Sequence, residues 1–199
     1  MRYLISRIAI ILVWIFCLYN SSNAQSFDDK YYLNGLSLAT QGKLDEAGEF
    51  FNKSLQLDSD RLPAQKALRI LTDLSNNKIS AKAAVGIFKG VDYRTKGELD
   101  NAISELDEAL VLSPGYAPTY NERGFAYYRR GNYDLAVSDF NKAVEIEPDF
   151  TDAYYNRGIT YYLDHQYKKA LVDIEKAQAL GRRVDANFMR DFKQAAAGE

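Results

Sequence analysis

Residues 117–150 read APTYNERGFAYYRRGNYDLAVSDFNKAVEIEPDF, and the next 34 residues, 151–184, read TDAYYNRGITYYLDHQYKKALVDIEKAQALGRRV. Both stretches contain the run Tyr-x-x-Arg-Gly, followed after two more residues by Tyr-Tyr, at the same place in each. Residues 83–116 align at the same offset, and an earlier copy occupies 28–61. Four copies at one period indicate a repeat protein, in which each unit packs mainly against its neighbours.

Two positions carry the same small residue in every copy. Glycine inside a helix costs about 1 kcal/mol relative to alanine, so its recurrence requires a compensating gain. The gain is close approach of two helices, while large residues at helical spacing, such as Tyr120 and Tyr127, fill the rest of their contact. The pattern therefore predicts an all-α fold with two antiparallel helices in each unit. The small positions are the eighth (Gly35, Gly90, Gly124, Gly158) and the twentieth (Ala47, Ala102, Ala136, Ala170).

The fifteenth position predicts where the first helix of each unit ends. It is Gly42, Gly97, Gly131 and then His165. A left-handed residue commonly follows a helix, and His is among the few residues besides Gly that adopt this conformation readily. The sole histidine is therefore interpreted as a turn residue and not as a catalytic one. Late prolines, Pro114 and Pro148, similarly end second helices.

These positions resemble the tetratricopeptide repeat, a 34-residue helix-turn-helix unit that stacks into a right-handed superhelix. The resemblance covers units at 28–61, 83–116, 117–150 and 151–184. The first unit has Ser59 in place of the late proline, and the fourth departs at His165 and Arg182. These differences affect the predicted ends of helices and leave the predicted helical solenoid unchanged.

Two further segments complete the predicted organisation. Residues 62–82 contain Pro63 and apolar residues at helical spacing, then a break at 75–77 and a capping Ser80. We expect an extra helix and a linker there, which either separate the first unit as a sub-stack or bend the stack. Residues 185–199 place their apolar side chains along one helical stripe, which predicts a capping helix over the last repeat.

Basic and acidic residues recur together at the seventh and twenty-third positions. Wherever the seventh residue is basic, the twenty-third is acidic, and the first copy lacks both. Because these positions lie on facing helices, we expect one structural ion pair in each of the last three units. The pairs are Lys89 with Glu105, Arg123 with Asp139, and Arg157 with Asp173.

The N-terminal 24 residues have the composition of a secretory signal peptide. Arg2 and Arg7 precede an uncharged apolar run at 8–19, and the small residues Ser22 and Ala24 fit a cleavage site after Ala24. An uncleaved anchor is the alternative reading, although the run is too short to span a bilayer easily. Cys17 lies inside the run after Phe16, which does not fit a lipoprotein signal. We therefore expect export to the periplasm or the exterior, with no stable membrane insertion after cleavage.

Composition excludes several classes of function. A net charge of −2 does not fit a protein whose main partner is nucleic acid. The chain has one Cys and one His, so we expect no catalytic residues, no metal site and no cofactor. No glycine-rich phosphate loop or activated nucleophile is present in the sequence.

The fifth, ninth and twelfth positions of each first helix form a second stripe, here called the groove stripe. The resemblance to the tetratricopeptide family implies that this stripe lines the concave surface, which holds peptides or partner helices in that family. Its apolar and aromatic character is typical of a contact surface, although some members could pack against a neighbouring repeat. We read the stripe as containing no Lys or Arg, unlike the carboxylate clamp of family members that bind chaperone C-termini. The residues are Tyr32, Leu36, Ile87, Val91, Asn121, Phe125, Tyr128, Tyr155, Ile159 and Tyr162.

The sequence thus predicts an exported, non-enzymatic adaptor that binds a protein or peptide partner through apolar anchors. A structural subunit of an envelope complex, or a self-associating solenoid, is the first alternative. A carrier of an apolar small ligand, or a weak enzyme, is the second. The oligomeric state and the partner's identity do not follow from the sequence.

Overall fold

In the computed structural model, residues 30–198 are described, and they form ten helices with no strand among them. The predicted signal peptide, residues 1–24, lies outside this range. The helices are α1 (30–40), α2 (Leu44–Leu57), α3 (Leu62–Ser75), α4 (Ala81–Lys96), α5 (Leu99–Leu112), α6 (Ala117–Arg130), α7 (Tyr133–Ile146), α8 (Thr151–Leu163), α9 (Tyr167–Ala179) and α10 (Ala186–Gly198). Within the described chain the all-α prediction is confirmed, including the extra helix α3 and the terminal helix α10.

The chain divides into two compact units, one ending at Thr72 and the other beginning at Asp73. In the first unit, the ring of Tyr32 packs on Phe51, with ring centroids 5.8 Å apart, and so joins α1 to α2. In the second unit, helices pack in sequential pairs, α4 with α5, α6 with α7 and α8 with α9. First helices also contact the first helix of the next repeat, α4 with α6 and α6 with α8. This last contact determines which side chains of a first helix stay accessible.

The recurring glycines lie where paired helices meet most closely. A Cβ atom on Gly90 would lie 2.6 Å from Leu106 Cγ, and one on Gly35 would lie 2.7 Å from the Phe51 ring. Gly124 and Gly158 face Phe140 and Ile174 in the same way. Each facing side chain is fully buried. The glycine of one helix therefore makes room for a large residue of its partner, as the sequence predicts.

The turns inside the repeats have the predicted backbone conformation. Gly42, Gly97, Gly131 and His165 have φ of 79°, 82°, 85° and 58°. His165 is thus a turn residue, and its Nδ1 lies 2.7 Å from the Tyr167 hydroxyl. Two more left-handed residues, Asn77 and Gly181, end α3 and α9 and were not predicted by the repeat pattern. Gly181 lies near the end of the last repeat, directly before Arg182, which stands in place of the late proline.

Ser80 caps the N-terminus of α4, as predicted. Its hydroxyl accepts a hydrogen bond from the backbone N–H of Ala83 at 3.2 Å. This bond satisfies a donor that the first turn of α4 leaves without an intrahelical partner. Across the described residues, no helix combines the length and the apolar character needed to cross a membrane.

Candidate functional site

Four residues of the predicted groove stripe are buried and offer almost no surface to a partner. Tyr32 and Leu36 in the first unit, and Ile87 and Asn121 in the second, are each at most 8% exposed. Their predicted place in an accessible groove is therefore wrong. Tyr32 is covered by Phe51 and by the Arg61 guanidinium, 5.6 Å above its ring. In the second unit, the contact between successive first helices removes part of the stripe from solvent.

Asn121 shows how this contact covers a polar side chain. The Asn156 amide, on α8, donates a hydrogen bond of 2.9 Å to Asn121 Oδ1, on α6. The bond joins the first helices of two successive repeats and satisfies an acceptor that would otherwise be buried alone. Asn121 is therefore part of the contact between repeats.

The other six residues of the stripe stay half-buried and keep surface facing solvent. All six lie on the first helices of the second unit, and all are apolar or aromatic. The rings of Phe125 and Tyr128 lie 5.4 Å apart, and Tyr128 continues to Tyr133 at 6.3 Å. We call this set the open stripe; it consists of Val91, Phe125, Tyr128, Tyr155, Ile159 and Tyr162.

The terminal helix α10 covers part of the open stripe in the last repeat. Its Met189 and Phe192 form a cluster with Tyr155, Ile159 and Tyr162. The Phe192 and Tyr162 rings are 4.6 Å apart, and Phe192 is fully buried. The α8 residues are therefore partly covered by α10, and the accessible part of the open stripe is centred on α6.

Two residues of the groove stripe are not among the ten named: Ala39, which is buried, and Arg94. The expectation of a stripe without Lys or Arg is wrong, because Arg94 occupies the twelfth position of the second repeat, equivalent to Tyr128 and Tyr162. The Arg94 side chain binds the next repeat. Its Nη2 donates a 3.0 Å hydrogen bond to Glu122 Oε2 on α6. Its guanidinium also lies 4.8 Å from the centroid of Phe125. The stripe therefore contains a cation, paired with a carboxylate of the next repeat.

A second ion pair lies at the other end of the open stripe. Arg182, in the segment after α9, donates to Asp152 Oδ1 at 2.8 Å. The same guanidinium lies 4.2 Å from the centroid of the Tyr155 ring. Charges at both ends of the stripe are thus compensated within the chain and packed against its aromatic rings.

The recurring ion pairs between the seventh and twenty-third positions are confirmed. Arg123 donates through Nε and Nη2 to the two carboxylate oxygens of Asp139, at 2.8 and 2.6 Å. Arg157 binds Asp173 in the same bidentate way, at 2.7 Å for both bonds. Lys89 and Glu105 are 3.5 Å apart. This geometry joins the two helices of a repeat and recurs in successive repeats, as expected of a structural ion pair.

These arginines also join successive repeats, which the sequence analysis did not predict. Arg123 Nη1 donates to Asp107 of the preceding repeat, and Arg157 Nη1 donates to Asn141, both at 2.6 Å. Hydrogen bonding to Asp139 raises the pKa of the Arg123 guanidinium above its ordinary value, against the effect of burial. Arg123 therefore keeps its charge whenever the repeat is folded. Within residues 30–198, no three His, Cys, Asp or Glu side chains are grouped so that they could hold a metal ion.

Comparison with known families identifies the repeat. A family model described as TPR repeat matches residues 90–131 and 126–164, and a second, described as tetratricopeptide repeat, matches residues 31–61. The chain belongs to the tetratricopeptide repeat family. No curated protein shows a significant match to it.

Solved structures of tetratricopeptide repeat domains are similar to this chain. The first such domain of Spaghetti (RPAP3), bound to the HSP90 peptide SRMEEVD, is 30% identical with a TM-score of 0.57; the match covers 59% of this chain and 95% of that one. The first domain of human RPAP3 is 28% identical with a TM-score of 0.56, over 59% and 94%. The TPR2B domain of yeast Sti1, in a pHsp70 complex, is 27% identical with a TM-score of 0.52, over 59% and 95%.

Proposed function

We propose that this protein is an adaptor that binds a peptide or helix of a partner protein along the open stripe of its second unit. The observation that carries the proposal is the half-buried state of six apolar and aromatic side chains on successive first helices. A helix face that only met water would be polar. Exposed apolar surface of this kind, with aromatic residues at its centre, is typical of a contact surface.

The similar structures support a peptide as the ligand. The Spaghetti (RPAP3) domain holds an HSP90 peptide, and the Sti1 domain is in a complex with pHsp70. Tetratricopeptide repeat domains present a scaffold for such contacts, and the specificity lies in the side chains of each groove. Here those side chains are rings and aliphatic groups, so apolar anchors supply most of the affinity.

We also propose that the protein works outside the cytoplasm. Support comes from the signal-peptide composition of residues 1–24, which predicts cleavage after Ala24. An exported adaptor would meet envelope or secreted proteins, and not cytosolic chaperones. The partner sought experimentally is therefore one of these.

The test begins with a photo-crosslinking residue in place of Tyr128 in the full chain, expressed in its own cells. The protein captured is identified and purified, and its affinity for the full chain is measured by calorimetry. We expect Phe125→Ala and Tyr155→Ala each to weaken binding by about thirtyfold, as truncation of an aromatic anchor costs roughly 2 kcal/mol. Both variants should keep the helical content of the wild type.

Val111→Ala is the matched control, because Val111 is an apolar residue of α5 that is 83% exposed and lies outside the stripe. Its affinity should equal that of the wild type. Unchanged binding by both stripe variants would reject the open stripe as the binding surface. Mass measurement in solution distinguishes the adaptor from a self-associating solenoid. A stable homo-oligomer that buries the open stripe would favour the solenoid.

A further inference from the structure

We propose that Glu122 determines the specificity of the open stripe by supplying, from within the protein, the carboxylate that Arg94 would otherwise take from a ligand. The groove then selects a partner segment without an acidic group beside Phe125, and it rejects acidic peptides. This inference rests on the proposed function, because it names the chemistry of the partner that the open stripe accepts.

The geometry places the pair at the stripe and not behind it. Arg94 is in the last turn of α4, and Glu122 is in α6. Their side chains are 17% and 11% exposed, and the distance between Nη2 and Oε2 is 3.0 Å. The Phe125 ring, which is part of the open stripe, lies against the same guanidinium. A ligand that contacts Phe125 therefore comes close to both charges.

Burial makes this pair difficult to displace. Charges interact more strongly where water is largely excluded, and a hydrogen bond between two charged groups is stronger than one between neutral groups. A ligand carboxylate that bound Arg94 would have to remove Glu122 from it. Glu122 would then be a largely buried carboxylate without its cation, beside a second negative charge. An acidic ligand is thus opposed twice.

Arg94 has unused hydrogen-bonding capacity once Glu122 is neutral. Its Nε is buried and has no hydrogen-bond partner among the residues that the structure describes, so a ligand carboxylate would have to bind at the Nη groups, one of which now donates to Glu122. A guanidinium has five N–H donors and binds a carboxylate best through two of them. Neutralising Glu122 should therefore convert Arg94 into a receptor for an acidic peptide.

The test compares full-chain variants with two fluorescent peptides. One is SRMEEVD, and the other is SRMQQVN with an amidated C-terminus, which has no carboxylate. Binding is measured by fluorescence anisotropy for the wild type, Glu122→Gln, and Glu122→Gln combined with Arg94→Gln. We expect Glu122→Gln to bind SRMEEVD at least about tenfold more tightly than the wild type, and the double variant to lose that gain. The neutral peptide should show no comparable gain.

Asp100→Asn is the matched control. Asp100 is also a carboxylate paired with an arginine, Arg130, at 2.7 Å, but these side chains are 79% and 47% exposed. The substitution changes the net charge by the same amount as Glu122→Gln, so any gain caused by net charge alone would appear in it. We expect its affinity for SRMEEVD to match that of the wild type.

Two results would overturn the inference: a wild type that binds SRMEEVD as tightly as Glu122→Gln does, or a gain that persists without Arg94. Circular dichroism checks each variant, and Glu122→Met, which preserves side-chain volume, replaces the Gln variant if that one unfolds. The proposed function is judged separately by the crosslinked partner. A partner that still requires Phe125 and Tyr155 supports the adaptor even if Glu122→Gln gains nothing.

Discussion

Gly90 illustrates how one residue is fixed by the helix opposite it. An exposed Gly→Ala change inside a helix normally stabilises a protein by about 1 kcal/mol. At Gly90 the added methyl group would lie 2.6 Å from Leu106 Cγ, and Leu106 is fully buried. Overpacking of this kind costs roughly 1–3 kcal/mol. We therefore expect Gly90→Ala to lower the free energy of unfolding in urea.

The control for this prediction is Gly115→Ala. No atom lies within 4 Å of a Cβ placed on Gly115, so its stability should stay close to that of the wild type. Leu106→Ala should reduce the penalty of Gly90→Ala in the double variant, because it vacates the space that the methyl group needs. A Gly90→Ala protein more stable than the wild type would show that the close approach of α4 and α5 does not require glycine at this position.

At the scale of elements, Arg157 joins three helices. From α8 it binds Asp173 on α9 through two hydrogen bonds and Asn141 on α7 through a third. The Asp173 side chain is buried. Removing one partner of a buried pair leaves an uncompensated charge and typically costs about 3–5 kcal/mol. We expect Asp173→Ala to destabilise the second unit by an amount near the lower end of that range.

Asp100→Ala provides the comparison, because its pair with Arg130 is exposed. Exposed pairs contribute about 0–1 kcal/mol, so this variant should unfold at nearly the same urea concentration as the wild type. Hydrogen exchange should show loss of protection in α8 and α9 for Asp173→Ala. Equal effects of the two substitutions would mean that the bidentate pair has no special part in holding the repeat.

The repeat period predicts contacts inside one 34-residue repeat better than contacts between successive repeats. Arg123 and Asp139 occupy fixed positions of one repeat, so their pairing follows from the sequence, as does the turn at His165. The bond from Arg123 to Asp107 depends instead on how two repeats stack. The position of a residue within its repeat does not specify how two repeats stack.

The same limit explains the errors in the groove stripe. Ile87 and Tyr155 hold the same position of their repeats, yet Ile87 is buried and Tyr155 is half-buried, because burial depends on the neighbouring helix. The reading of the stripe as free of Lys and Arg was also wrong: Arg94 holds its twelfth position, and its carboxylate partner, Glu122, belongs to the next repeat. The sequence therefore predicted the helices, whereas stacking decided which residues of the groove stripe remain open.

Considered as a whole molecule, the chain separates an N-terminal segment that carries its only cysteine from a repeat region that has none. Cys17 lies in the predicted signal peptide, so a chain cleaved after Ala24 has no cysteine and cannot form a disulfide with itself or with another chain. Its stability must come from helix packing and from the ion pairs between repeats. Such a fold should be equally stable in an oxidising and in a reducing compartment.

We expect the protein to begin at Gln25 when it is purified from its own cells. Intact-mass measurement should show the loss of residues 1–24, and thermal unfolding should give the same midpoint with and without a thiol reductant. The membrane fraction of the same cells tests the alternative of an uncleaved anchor. A full-length mass in that fraction would contradict cleavage, and the adaptor would then act at a membrane surface, with its partner brought to the open stripe there. A full-length mass in the soluble cytoplasmic fraction would contradict export altogether, since the apolar run would then have directed the chain neither across nor into a membrane.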